Sequence, residues 1–306
     1  MIKRTLYFGS PAYCSVKDEQ LVIKQPEERD MFGGERVTTA PIEDIGVVVL
    51  DHPRVTVSHR ALELLLENNA AVITCDRRHL PVGLLLPLAG HHLQAERFRA
   101  QIDAPKPLRK RLWARTVAQK IHNQADLLEE RGEDVGHLRE WSRTVRSGDP
   151  KNLEAQAAVF YWKELFPADL DFRRDRHGDP PNNALNYGYA VARALAARAL
   201  VSSGLLPTLG IHHHNRYNAY CLADDVMEPY RPFVDAAVCE MMDEGIDLNE
   251  LGKEAKRRLL SLPTEAVFVN EERAPLAVAL SRTAASLARC FEGEEETIVY
   301  PTFAFE

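Results

Sequence analysis

A chain of 306 residues, 45% of them hydrophobic, can bury a substantial core, and its length falls between one large domain and two ordinary ones. The net charge of −7 excludes a protein coated in nucleic acid, because phosphate binding depends on local Lys and Arg displacing counterions; any DNA contact must be local. Five scattered cysteines (Cys14, Cys75, Cys221, Cys239, Cys290), odd in number and without CxxC spacing, exclude a disulfide scaffold or zinc knuckle and read as buried thiols.

The opening MIKRTLYFGS lacks the apolar run of a signal peptide. The longest apolar stretch, residues 81–90, is too short to span a bilayer, so a cytoplasmic protein without membrane contact is expected. The first ninety or so residues carry short β-branched and apolar runs broken by Asp, Pro, Gly and Asn. They predict strands at 2–8, 20–24, 45–50, 54–58, 71–75 and 82–86, interrupted by a helix at 60–67 carrying Leu62, Leu64, Leu65 and Leu66. Residues 87–92 read as a linker.

Beyond it the pattern turns helical. Trp113, Val117, Ile121, Gln124 and Leu128 share one side of a helix, with Arg111 and Arg115 on the other. Residues 97–120 hold Arg97, Arg99, Lys106, Arg109, Lys110, Arg111, Arg115 and Lys120 against one acid, Asp103. That face is either solvated or a DNA track. Further helices are predicted at 153–166, 184–202 and 224–243, the last kinked by Pro229 and Pro232. Residues 204–220 form a long irregular loop with three consecutive histidines. Glu292, Glu294, Glu295 and Glu296 crowd near the end. The expected fold class is α+β: a small amino-terminal β-rich domain (1–88), a larger all-helical carboxy-terminal domain (89–285) and an acidic, extended tail (286–306).

Two places carry residues suited to chemistry. NLEAQAAVFYWKELF, residues 152–166, is apolar almost all round, and Glu154 shares a face with Ala158, Tyr161 and Leu165. Burying that carboxylate demands a cation or metal. The alternative is a helix-start carboxylate satisfied by first-turn N–H groups and the dipole. In GIHHHNRYNAYCLADDVMEPYRP, residues 210–232, Asp224, Asp225 and Glu228 gather on one side of a helix, with His212, His213 and His214 just upstream. Oxygens alone would favour Mg2+, and an imidazole shifts preference toward Mn2+. Such a site suits phosphoryl transfer. Arg231, near one turn past Glu228, either holds a phosphate or pairs with a carboxylate.

Together these segments resemble the CRISPR-associated spacer-acquisition integrases, in wording most their type II branch. The resemblance runs over nearly the whole chain through PIEDIGVVVL, NLEAQAAVFYW, PPNNALNYGYA and LGIHHHNRYNAYCLADDVMEPYRPFVD. It implies a metal-dependent DNA endonuclease and integrase with Glu154, His213 and Glu228 as catalytic ligands of Mg2+ or Mn2+, and Asp225 and Arg231 in support. His213 is singled out from His212 and His214 by its place two residues before Asn215 in an HxNxxN context. The resemblance also implies dimerisation through the β domains, a four-plus-two complex with a small ferredoxin-like companion subunit, and double-stranded DNA partners, the protospacer and the repeat array. In the implied reaction a protospacer 3′ hydroxyl attacks a phosphodiester. Phosphate contact is then expected at Arg109, Arg111 and Arg115, while PPNNALNYGYA lies beside the pocket without an assigned catalytic role. The alternatives are a general metal-dependent DNA-repair nuclease and a non-catalytic DNA-binding scaffold of the same fold.

Overall fold

The computed structural model describes residues 3–29, 34–77, 79–167 and 170–305; Ile2 of the first predicted strand and Glu306 of the tail lie outside them. The chain divides into two compact units, Met1–Gly90 and His91–Glu306. The first is built of β1 (Arg4–Phe8), β2 (Ala12–Lys17), β3 (Gln20–Arg29), β4 (Glu35–Pro41), β5 (Ile45–Leu50), β6 (Val55–Val57), α1 (His59–Glu67), β7 (Ala71–Cys75) and β8 (Pro81–Leu85).

One sheet runs β1-β5-β7-β8, with the first three strands parallel and β8 antiparallel; the other runs β4-β3-β2-β6. β5 is an unbroken apolar run, IGVVVL, buried along almost its whole length, as a central strand covered on both faces must be. β2 and β3 are joined by Asp18 and Glu19, both at positive φ (51° and 57°), the backbone that a two-residue hairpin between right-twisted strands requires. Ser58 caps α1 by accepting from the Ala61 N–H at 3.3 Å. β2 and β4 were absent from the predicted strands. β4, ERVTTAP, is mostly exposed at a sheet edge and presents no apolar run.

The second unit contains α2 (Gln94–Asp103), α3 (Lys106–Glu130), α4 (Gly136–Thr144), α5 (Leu153–Leu165), α6 (Asn182–Ser202), α7 (Cys221–Met227), α8 (Arg231–Asp243), α9 (Lys253–Ser261), β9 (Ala266–Val269), β10 (Glu272–Pro275), α10 (Leu276–Glu292) and β11 (Thr302–Phe303). The 25-residue α3 packs against α4, α5 and α8, and α6 against α7, α8, α9 and α10. Gly188 permits the α6–α8 approach, since a Cβ there would lie 2.4 Å from Val234 Cγ1. The α+β organisation expected from the sequence holds.

Two corrections apply to this unit. It is not all-helical: β9 pairs with β10 and β11 in a small antiparallel sheet, whose β9–β10 turn, Asn270–Glu271, again takes positive φ. Nor does an extended tail begin at 286, because α10 continues to Glu292 on the apolar periodicity of Leu287, Ala288 and Cys290, all buried. It ends on Gly293 (φ 80°), a left-handed helix stop. Beyond it Ile298 and Tyr300 are buried. No helix among the described residues is long and apolar enough to cross a membrane.

The helices that flank the candidate site are tied by one carboxyl group. Fully buried Asp235 on α8 accepts hydrogen bonds from Tyr161 Oη of α5 at 2.8 Å and Tyr189 Oη of α6 at 2.5 Å. Burial pushes this carboxyl up to about 6, although both tyrosine hydrogen bonds favour its charge. The native state therefore holds a proton that an unfolded chain, at the ordinary 3.8, releases earlier. That contribution to stability is full below 3.8 and is lost as pH rises through about 6. The window corresponds to roughly 3 kcal/mol. Urea denaturation should show Asp235→Asn losing less stability than wild type between pH 4 and pH 7; equal losses would remove Asp235 as the source.

Candidate active site

Asn152, in left-handed conformation (φ 52°), precedes α5, and Asp149 closes the helix start by accepting from the Leu153 N–H at 2.9 Å and the Glu154 N–H at 3.0 Å. Asp149 thus meets the first-turn donors that were the alternative partners of Glu154. Glu154 turns instead to Lys120 of α3, with Oε1 2.5 Å from Nζ.

Glu228 arrives from a second, distant stretch of chain. The predicted helix at 224–243 starts earlier, at Cys221, and is broken by a 3-10 turn, Glu228–Tyr230, between α7 and α8. Pro229 and Pro232 cannot donate to the helical ladder, which interrupts it here. Asn123 Nδ2 of α3 donates to the Pro229 carbonyl at 2.7 Å and so pins the turn. Gln119 Nε2 donates to Asn123 Oδ1 at 2.8 Å, fixing the amide in turn.

The result is a quartet of charges centred on buried Lys120 and Glu228. Lys120 Nζ lies 2.6 Å from Glu228 Oε2, and Arg231 Nε 2.9 Å from Glu228 Oε1. Side-chain exposure is 9% at Lys120, 8% at Glu228 and 31% at Glu154. The contact at Oε2 is one of charge rather than an aligned hydrogen bond. Burial opposes the Glu228 carboxylate, but the Arg231 and Lys120 charges outweigh it and bring its pKa down to about 2. Burial likewise works against the Lys120 ammonium, while Glu228 and Glu154 hold it above the ordinary lysine value. Arg231 also stacks over Tyr189 at 4.6 Å, with Arg174 over the same ring at 5.2 Å. In the sequence Lys120 stands out only as one member of the basic run. The signal that marks it is periodic: Lys120 lies three residues after Val117 and four before Gln124, on the apolar stripe of α3.

The three histidines part company. His212 stacks on Trp113 of α3, centroids 4.1 Å apart and planes 3° from parallel. His213 Nδ1 meets Asp225 Oδ1 at 2.5 Å, and the backbone N–H groups of His213 and His212 donate to the same carboxylate at 3.3 and 3.0 Å. That hydrogen bond, against burial, raises the His213 pKa above the ordinary imidazole value. Gly210 makes the loop's path possible, because a Cβ there would come within 2.3 Å of the His213 carbonyl oxygen and 2.7 Å of Asp225 Oδ2. Asp225 is inaccessible, while the His213 side chain is 46% exposed. His214 remains exposed. Asp224, expected beside Asp225, is drawn off to Arg193 Nε at 2.6 Å and Asn218 Nδ2 at 2.6 Å.

The structure therefore joins Glu154 and Glu228 through Lys120 and places His213 on Asp225, within reach of the Glu228 charge. Among the described residues, no three His, Cys, Asp or Glu side chains converge at metal-holding distance. Beside His213 opens a cavity of about 410 Å³ lined in part by Arg109, His214, Asn215, Arg216 and Asn218. Arg111 and Arg115 are exposed on α3, with Arg115 Nε facing the Ile298 carbonyl at 3.5 Å. PPNNALN serves loop order: Asn182 Oδ1 accepts from Arg174 at 2.8 Å and from the Asp175 N–H at 3.0 Å, and Asn186 Oδ1 from Arg174 at 2.7 Å.

The profile of the family described as CRISPR associated protein Cas1 matches residues 6–271. A CRISPR-associated endonuclease Cas1 of Neisseria meningitidis serogroup C (strain 8013) is 38% identical over 262 residues, spanning 85% of this chain and 83% of that protein. A casposase bound to integration product shares the fold with a TM-score of 0.77 at 22% identity, covering 97% of this chain and 92% of its own. A Cas6-RT-Cas1–Cas2 complex chain aligns with all of this chain and 36% of its own length, TM-score 0.73, at 19% identity. Fold and likeness define a CRISPR-associated protein. The chain belongs to the Cas1 family.

Asp225 is the orienting partner of His213, and where an imidazole ligates a metal, loss of such a carboxylate typically costs about 10–100-fold in metal affinity or activity. Asp225→Ala should reduce DNA nicking by roughly that factor while leaving circular dichroism and α-helix content intact. Undiminished nicking would show that His213 needs no such support.

Proposed function

We propose that this Cas1 chain is a metal-dependent DNA endonuclease and integrase of CRISPR adaptation, joining protospacer DNA into the repeat array. The observation that carries the reading is the convergence of Glu154 and Glu228, from segments far apart in sequence, on one buried cation, with the imidazole held by Asp225 within electrostatic reach of Glu228. Two carboxylates and an imidazole fit a hard or borderline divalent ion, Mg2+ or Mn2+. The lack of an aligned hydrogen bond at buried Glu228 Oε2 leaves that oxygen with donor capacity. Glu154, His213 and Glu228 are proposed as the ligands. When bound, the ion would polarise a phosphodiester oxygen and stabilise charge on the attacking and leaving oxygens.

The chain's own groups account for the rest. An ionised carboxylate only accepts, so Asp225 assigns the proton to His213 Nδ1 and leaves Nε2 with its lone pair for a ligand. Arg231 holds Glu228 in a single orientation between its own guanidinium and Lys120. Arg109 and Arg216, around the cavity next to His213, offer positive charge to DNA phosphates, and Arg111 and Arg115 extend it along α3. The attacking group is a protospacer 3′ hydroxyl, which requires two DNA segments at one site. Partners are proposed accordingly: a second copy through the amino-terminal unit, and a Cas2-type companion in a four-plus-two assembly, in the cytoplasm. The Cas1–Cas2 complex of similar fold supports the companion.

Purified protein, companion subunit, short duplex and repeat-bearing plasmid in Mn2+ provide the test. Glu228→Ala and His213→Ala should bind duplex nearly as wild type yet lose strand joining by roughly two orders of magnitude or more. Joining at wild-type rate by either variant would remove that residue from the ligand set, and nicking without joining by wild type would favour a repair nuclease. Separately, the double change Arg111→Glu, Arg115→Glu should weaken duplex binding and lower the log–log salt slope by about one for each phosphate that is no longer neutralised. An unaltered slope returns that face to plain solvation.

A further inference from the structure

Lys120 is given only the positioning of Glu228 in the chemistry proposed above, yet it is the hub of the site. Its ammonium touches Glu154 Oε1 at 2.5 Å and Glu228 Oε2 at 2.6 Å, and its side chain is 9% exposed. These are the two carboxylates proposed as metal ligands, so a role for Lys120 here rests on that reading. The other Glu228 oxygen is already engaged by Arg231 at 2.9 Å. A metal ion and the lysine would therefore use the same Glu228 oxygen. The two cations and two carboxylates of the quartet cancel. A divalent ion added with the ammonium in place would leave two uncompensated positive charges in a buried space, which is strongly unfavourable. The lysine stem is flexible and can carry its charge elsewhere.

We infer that Lys120 is a competitor built into the site. It holds Glu154 and Glu228 together and is displaced when a divalent cation takes their oxygens. The freed ammonium then needs an anion, and a DNA phosphate at the site supplies one. Metal affinity is thus held low in the free protein and raised by DNA, so the two ligands are coupled.

The experiment titrates Mn2+ by calorimetry into the full-length protein, with and without a short duplex, alongside thermal denaturation in EDTA and in Mn2+. Lys120→Met and Lys120→Gln should bind Mn2+ roughly tenfold or more tightly than wild type without DNA. They should melt lower in EDTA, because two carboxylates lose their cation, and gain more from Mn2+. Duplex should tighten Mn2+ binding to wild type and change the variants little. Unchanged or weaker Mn2+ binding in both variants overturns the competitor role, as does a wild-type affinity indifferent to DNA. Should both variants be unfolded in EDTA, refolding by Mn2+ supports the inference and failure to refold overturns it. Glu228→Gln separates the two levels: if it binds Mn2+ as wild type does, the ligand assignment itself fails, whereas loss of binding leaves that assignment standing and the Lys120 result decisive.

Discussion

The elements around the candidate site answer to one constraint: four formal charges, Lys120, Glu154, Glu228 and Arg231, must share a partly buried space. Unpaired, any one of them would cost several kcal/mol. Paired as two cations and two anions, they are tolerable only while their geometry stays fixed. Each carboxylate comes from a different stretch of chain, and the lysine from a third, so the fold must hold three segments in register on behalf of a few side-chain atoms.

The polar residues buried nearby do that work. Asp149 uses both carboxylate oxygens on the first turn of α5, which fixes where Glu154 begins its reach and denies it local partners. Asn123 takes the carbonyl of Pro229, turning a break in the helix into a fixed corner from which Glu228 projects toward α3. Tyr161, two turns along α5 from Glu154, meets Asp235, which lies one helical turn beyond Arg231 and also holds Tyr189. Tyr189 in turn provides the face on which Arg231 lies. Removing one of these groups disturbs the orientation of a charge rather than only the packing of a helix. That explains why a helical unit with an ample apolar core buries so many hydrogen-bonded polar groups.

Much of this was legible in the sequence. Short apolar, β-branched runs located β5 and β7, which are buried along most of their length, and helical spacing or long apolar stretches located α1, α3, α5 and α6. β2, β4 and the β9–β11 sheet escaped because they are short or exposed, and their register depends on distant partners. The acids of the site were visible as carboxylates in apolar company. Lys120 was not, since a basic residue within a basic run reads as surface until its position on the apolar stripe is weighed. The histidines show a different limit. Three adjacent identical residues differ only by the direction each leaves the loop, and that direction is set by Trp113 on one side and Asp225 on the other. No local pattern encodes both.

An acidic protein whose charge were spread evenly would repel the DNA proposed as its partner, and the arrangement of charge resolves this. Glu154 and Glu228 are compensated by Lys120 and Arg231, Asp224 by Arg193, and Asp225 by two backbone N–H groups and an imidazole. None of these acids presents an uncompensated charge at close range. The cations that face solvent nearby include Arg111 and Arg115 on α3, with Arg109 and Arg216 at the cavity. At physiological ionic strength charges beyond about 8 Å are largely screened, so a phosphate approaching α3 responds to those arginines rather than to the excess of Asp and Glu spread over the chain. Net charge describes the molecule far from its surface. Close to the candidate site, the pairing of acids determines what an approaching phosphate would meet.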